Sequence, residues 1–161
     1  MDSWEKINAV QRMQDYIDEH ITDPISLYML AEAARYSPWH SSRIFKELTG
    51  KTPFAYIREL RLSRAAIKLR DDNVKIIDVA FDFVFDSHEG FTRAFSKQFG
   101  MTPQYYCKIR NINIDFLNMI KYYGINTNEH EQNGVDKEEY ILARSRERRW
   151  LMKIFVTEAW K

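Results

Sequence analysis

Through the first 110 residues, apolar positions recur at the three-and-four spacing of a helix face, in blocks cut by proline, glycine and clustered polar residues. Residues 5–20 put Ile7, Val10, Met13 and Ile17 on one stripe, with Gln14 and Tyr16 a step aside. Thr22-Asp23-Pro24 stops this packing helix, because proline cannot donate the next backbone hydrogen bond. Ser26 then caps a short helix whose inward residues are Leu27, Leu30, Ala31 and Ala34, the alanines letting a neighbouring helix approach closely. Ser37-Pro38 restarts the chain: the serine accepts from orphan amides, the proline is preset for a first helical turn, and Gly50 supplies the left-handed residue past the end. Thr52-Pro53 opens a helix with no breaker before Asp71-Asp72-Asn73, roughly 17 residues or about 25 Å at 1.5 Å rise. A short helix holding Ile76, Ile77, Val79 and Ala80 follows, then one capped by Ser87 and closed by Gly100, then a last one from Thr102-Pro103 toward Arg110. No segment before residue 111 alternates as a strand does, so the expected fold is all-α.

These blocks say one thing twice. The string RIFKELTGKTPFAYIR, Arg43 to Arg58, returns as RAFSKQFGMTPQYYCK, Arg93 to Lys108, with Phe45/Phe95, Gly50/Gly100, Pro53/Pro103 and Tyr56/Tyr106 in register. Upstream, Ala31 pairs with Ala80 and Tyr36 with Phe85, so the second copy has one extra residue at the turn holding Asp86 and Ser87. Two copies are too few for a solenoid, which needs at least three stacked units. A duplicated recognition unit, meeting two equivalent stretches of one partner, fits the pattern.

Composition narrows the classes. A chain of 161 residues has room for one ordinary domain or two very small ones with a real core. No apolar run is long enough to cross a bilayer, and MDSWEKIN lacks the basic and apolar regions of a signal peptide, so the cytoplasm is the expected compartment. The single Cys107 can form neither an intramolecular disulfide nor a cysteine metal cluster. His20, His40, His88 and His130 show no HExxH spacing, and there is no glycine-rich phosphate loop or glycine-framed serine, so neither an enzyme nor a bound cofactor is expected. The net charge of +1 is not the basic balance of a typical nucleic-acid binder; residues 1–110 hold 16 Lys and Arg against 15 Asp and Glu. Positive charge for such a role has to be placed locally, on particular helix faces.

In each copy a short alanine-containing helix, a turn and a longer capped helix follow one another, the order of a helix-turn-helix. On the longer helix of the first copy, Ile44, Phe45 and Leu48 share one side, while Trp39, Ser42, Arg43 and Lys46 form a stripe on another. In the second copy Phe91, Ala94, Phe95 and Phe99 point inward, leaving His88, Glu89, Thr92, Arg93 and Lys97 outward or near the edge. Arginine can bridge guanine O6 and N7, tryptophan can pack on thymine methyls, hydroxyls can bond base edges or phosphate, and lysine brings phosphate-seeking charge. Glu89 can accept from cytosine N4 but repels a misplaced phosphate. His40 and His88 sit at helix starts, where amides and the helix dipole favour anions. A solvated face of an amphipathic helix explains either stripe alone; two stripes at equivalent positions favour a binding surface.

The run from Ala80 to Tyr106, with Phe91-x-Arg93-x-Phe95 followed by Gly100, Thr102, Pro103 and Tyr106, resembles the signature of the AraC/XylS family of transcription regulators. The resemblance covers about residues 5–110. It implies a DNA-binding domain over 1–110, with one helix-turn-helix unit at about 5–50, a long central linker helix at about 53–69 and a second unit at about 74–110. It implies that the two recognition helices enter successive major grooves of double-stranded DNA. Carried over by position, the base-facing residues are Trp39, Ser42 and Arg43 in the first unit and His88, Glu89, Thr92 and Arg93 in the second; His40, Lys46 and Lys97 are the phosphate candidates. It also implies an output on transcription, as an activator or a repressor, with RNA polymerase as a partner.

The family has glycine in each inter-helix turn, where this chain has Arg35 and Val84. A side chain at positive φ costs on the order of 1 kcal/mol or more, and a β-branched one suffers most, so either these turns take another path or they are strained. Residues 111–161 read as a C-terminal extension: Ile112 to Tyr123 is helix or extended, Gly124 to Gly134 a polar loop, and Asp136-Lys137-Glu138-Glu139 a helix start. The resemblance makes it a remnant of an effector or oligomerisation region, through which a small-molecule effector would act. The competing reading is a protein-interaction or small-molecule-sensing module that does not itself read DNA, motivated by the basic run Arg144, Arg146, Arg148 and Arg149 beside Trp150.

Overall fold

Seven helices account for the regular structure of the computed structural model, which describes residues 3–109. They are α1 (Ser3–Glu19), α2 (Leu27–Ala34), α3 (Pro38–Thr49), α4 (Pro53–Asp71), α5 (Ile76–Asp82), α6 (His88–Phe99) and α7 (Pro103–Ile109). Among the described residues there is no strand, so the all-helical expectation holds. The expectations for residues 111–161 lie outside the described residues.

The described chain divides into two compact units, 3–61 and 62–109, with α4 giving Pro53–Arg61 to the first and Leu62–Asp71 to the second. In the first unit, Ile7, Val10, Met13 and Ile17 of α1 pack with Leu30 and Ala34 of α2, Ile44 and Phe45 of α3, and Tyr56, Ile57 and Leu60 of α4. Each fully buried Val, Leu, Ile, Phe or Met among them stabilises the fold by about 1.5–3 kcal/mol relative to leaving it exposed. The second unit buries Leu62, Leu69, Val79, Phe83, Phe91, Phe95, Phe99 and Tyr106. The duplication extends to ring geometry: Phe45 meets Tyr56 edge-on at 5.3 Å and 79°, and Phe95 meets Tyr106 at 5.5 Å and 67°.

Local chemistry sets most boundaries. Ser26, Ser37 and Ser87 accept from the amides of Met29, His40 and Gly90 at 3.3, 3.3 and 3.0 Å, each satisfying an orphan donor of its helix. Thr52 and Thr102 do the same for Ala55 and Tyr105, both at 3.3 Å. Gly50 and Gly100 close α3 and α6 at φ 75° and 73°, where any side chain would be strained. α1 stops at Glu19, short of the proline, because the chain tightens into a turn in which Asp23 N donates to His20 O at 2.9 Å and the His20 ring lies 3.2 Å from the Asp23 carboxylate. Gln14, expected beside the stripe, is fully buried, and its amide has no hydrogen-bond partner among the described residues.

Candidate nucleic-acid interface

What aims α3 and α6 is the turn before each. α2 ends with Tyr36 N donating to Ala31 O and Arg35 N to Glu32 O, both 3.1 Å; α5 ends with Phe85 N to Ala80 O at 3.0 Å and Val84 N to Phe81 O at 2.9 Å. This paired closure requires a left-handed residue, and Arg35 and Val84 take it at φ 63° and 62°. Of the two paths left open by the sequence, the chain takes the strained one, at about 1–2 kcal/mol per residue. In the first unit a further contact joins in: the Arg12 guanidinium on α1 donates from Nε to Ala33 O at 2.9 Å and from Nη2 to Ala34 O at 2.8 Å. Nearby, Arg61 Nε and Nη2 donate to the carbonyls of Ile21 at 3.0 Å and Asp23 at 2.6 Å, fixing the α1–α2 loop. Burial pulls the Arg61 pKa down, opposed by the Asp23 carboxylate.

On α3, Ile44 and Phe45 are buried while Trp39, Arg43 and Lys46 are exposed and Ser42 is half-buried. Trp39 is 70% exposed, a large aromatic surface left in water on the face opposite the core. The Arg43 guanidinium lies over its ring, 5.5 Å from the centroid, within cation–π range. Among the described residues no carboxylate pairs with Arg43 or Lys46, whereas Glu47 is paired with Lys6 at 3.2 Å and Glu59 with Lys51. Positive charge is therefore left locally uncompensated on this face despite the even overall balance.

α6 repeats the arrangement in register. Phe91, Ala94 and Phe95 are buried, Glu89, Arg93 and Lys97 are exposed, and His88 and Thr92 are half-buried. Glu89 thus stands where α3 has Trp39, Thr92 where it has Ser42, and Arg93 where it has Arg43. Two predicted residues offer less than their positions promised: the Thr92 hydroxyl oxygen and His40 Nε2 are both covered, without a hydrogen-bond partner among the described residues. The His40 ring lies edge-on to Tyr36 at 5.0 Å and packs against the turn, while its backbone amide donates to the Ser37 cap. At the start of α6 a Cβ on Gly90 would come within 3.1 Å of Ser87 Oγ, the atom that caps the helix. Among the described residues, no group of three or more His, Cys, Asp or Glu could hold a metal ion, and no helix is long and apolar enough to cross a membrane.

The hydrogen bonds of Arg12 to the end of α2 and of Arg61 to the α1–α2 loop were not anticipated. The sequence shows these arginines only as basic residues on amphipathic helices; which carbonyls they reach is tertiary information.

Two short-helix, turn, capped-helix units with matched outward stripes define a duplicated helix-turn-helix protein. A family profile described as a helix-turn-helix domain matches residues 30–109. The chain is 38% identical over 97 residues to the regulatory protein SoxS of Escherichia coli K12, covering 60% of this chain and 91% of that one. It is 46% identical over 91 residues to the right origin-binding protein of the same organism, covering 56% of this chain but only 32% of that longer one. Among solved structures it is similar to an AraC-type transcriptional regulator from Chromobacterium violaceum, with TM-score 0.61 and 25% identity over 63% of this chain and 91% of that one. With a relative matched over nine tenths of its length, the chain belongs to the AraC/XylS family.

Proposed function

We propose that the chain is a sequence-specific transcription regulator that inserts α3 and α6 into the major groove of double-stranded DNA. The observation that carries this reading is the recurrence, at one register, of Arg43 and Arg93 on exposed helix faces backed by Phe45 and Phe95 and started by serine caps. Trp39, Ser42 and Arg43 read one half of the site; Glu89 and Arg93, with His88 at the helix start, read the other, and Thr92, its hydroxyl covered, offers that half its methyl group and not a hydrogen bond. Lys46 and Lys97 hold phosphates, and His40 contributes through its helix-start position. Unequal chemistry at Trp39 and Glu89 makes the two half-sites different, so the target needs no palindrome. RNA polymerase is the partner such a regulator acts on, in the cytoplasm, and an effector would enter through residues 111–161.

The test is substitution of each arginine. Arg43→Ala and Arg93→Ala lower affinity for the preferred duplex by about 1–3 kcal/mol, roughly 5- to 150-fold, and far less for random duplex. Equal losses on both duplexes would demote these arginines to phosphate contacts and remove the ground for base reading.

A further inference from the structure

We infer that Arg12, on α1 and away from the outward stripe of α3, is a positioning residue for DNA recognition by the first unit. The inference rests on the DNA-reading role proposed above and adds a residue that reads no base itself. The last four carbonyls of a helix have no partner within it. In α2 these are Ala31, Glu32, Ala33 and Ala34, and each is accounted for. The amides of Tyr36 and Arg35 take the first two, and the Arg12 guanidinium takes the last two, at 2.9 and 2.8 Å. A planar guanidinium offers its donors in a fixed fork, so this contact sets both the distance and the angle of the α2 terminus relative to α1.

That terminus is where direction is decided. Arg35 follows Ala34 directly at φ 63°, a conformation that a non-glycine residue keeps only when its surroundings over-determine it. Two residues later Ser37 caps α3, so any relaxation of the turn swings the start of α3 and with it Trp39, Ser42 and Arg43. Arg12 supplies over-determination from outside the turn. In the second unit Lys68 of α4 reaches the Asp82 carboxylate at the end of α5, at 2.7 Å.

The experiment uses the full chain and the duplex that the wild-type protein enriches from a random pool, together with single-base-pair variants across it. Arg43→Ala marks the half read by α3. Arg12→Ala is expected to weaken binding to the enriched duplex about tenfold, the scale of losing charge-assisted hydrogen bonds. Base discrimination relaxes in the half read by α3 and persists in the half read by α6. Adding Arg35→Gly to Arg12→Ala recovers much of the affinity, because the turn then keeps its left-handed path without the clamp. Arg12→Lys keeps the charge and most of the stem and covers the case in which the alanine variant fails to fold; one ammonium cannot reproduce the fork, so it shows the same relaxation in weaker form. The slope of log affinity against log salt stays that of the wild type.

Unchanged affinity, equal relaxation in both halves, or a salt slope reduced by about one, the mark of a lost phosphate contact, would each overturn the assignment. If the wild-type protein enriches no duplex, it is the DNA-reading role that fails, and the positioning role falls with it.

Discussion

Replacing Val84 separately with glycine and with alanine tests the turn geometry on which both recognition helices depend. Val84 holds φ 62°, where the Cβ of an L-residue crowds the backbone at about 1–2 kcal/mol. Both substitutions remove the valine methyls, so packing losses largely cancel between them; they differ in whether a Cβ remains at that φ. At an ordinary position alanine is the more stable of the two by about 0.4–1 kcal/mol, through the entropy of the unfolded chain. Here the strain outweighs that term, and glycine is expected to lead alanine by about 0.5–1 kcal/mol. For a chain of 161 residues this is about 1–4 °C in melting temperature. Urea unfolding at constant m gives the difference from the midpoints, and the same pair at Arg35, which is exposed and loses little packing, is an internal control. Alanine equal to or above glycine at both positions would refute the strained-turn account.

Binding to the preferred duplex should weaken steeply and log-linearly with salt, because Lys46, Lys97 and neighbouring cations displace condensed counterions; a flat response would favour the protein-interaction reading. Stability should fall at alkaline pH in a way that depends on Tyr106. Burial raises the Tyr106 pKa, with Arg70 pulling the other way, so the unfolded chain loses this proton first, at about pH 10. The contribution is whole below that pH and is lost as pH rises through the folded-state value; Tyr106→Phe should flatten this part of the pH profile, and an unchanged slope would contradict it.

Much of this architecture was legible because it is local. Ser37-Pro38 and Gly50, and Ser87 and Gly100, announce the ends of α3 and α6 through capping chemistry confined to a few residues. At Arg35 and Val84 the family resemblance marked the two turn positions but left two paths open, and the structure takes the strained one. What the sequence hid is what tertiary packing decides. Gln14 is polar yet sits wholly inside the first unit, and Ile77 and Phe81 of α5 are exposed although apolar. Periodicity likewise placed Thr92 on the outer stripe without revealing that its hydroxyl is covered, and gave no hint that Arg12 reaches the end of α2.

In-vitro selection of duplexes from a random pool by the full chain tests the central claim most directly. Two matched but chemically unequal helices predict enrichment of an asymmetric two-part motif, one half losing its information in Arg43→Ala and the other in Arg93→Ala. Enrichment of no sequence, or of a motif that neither substitution alters, would contradict it.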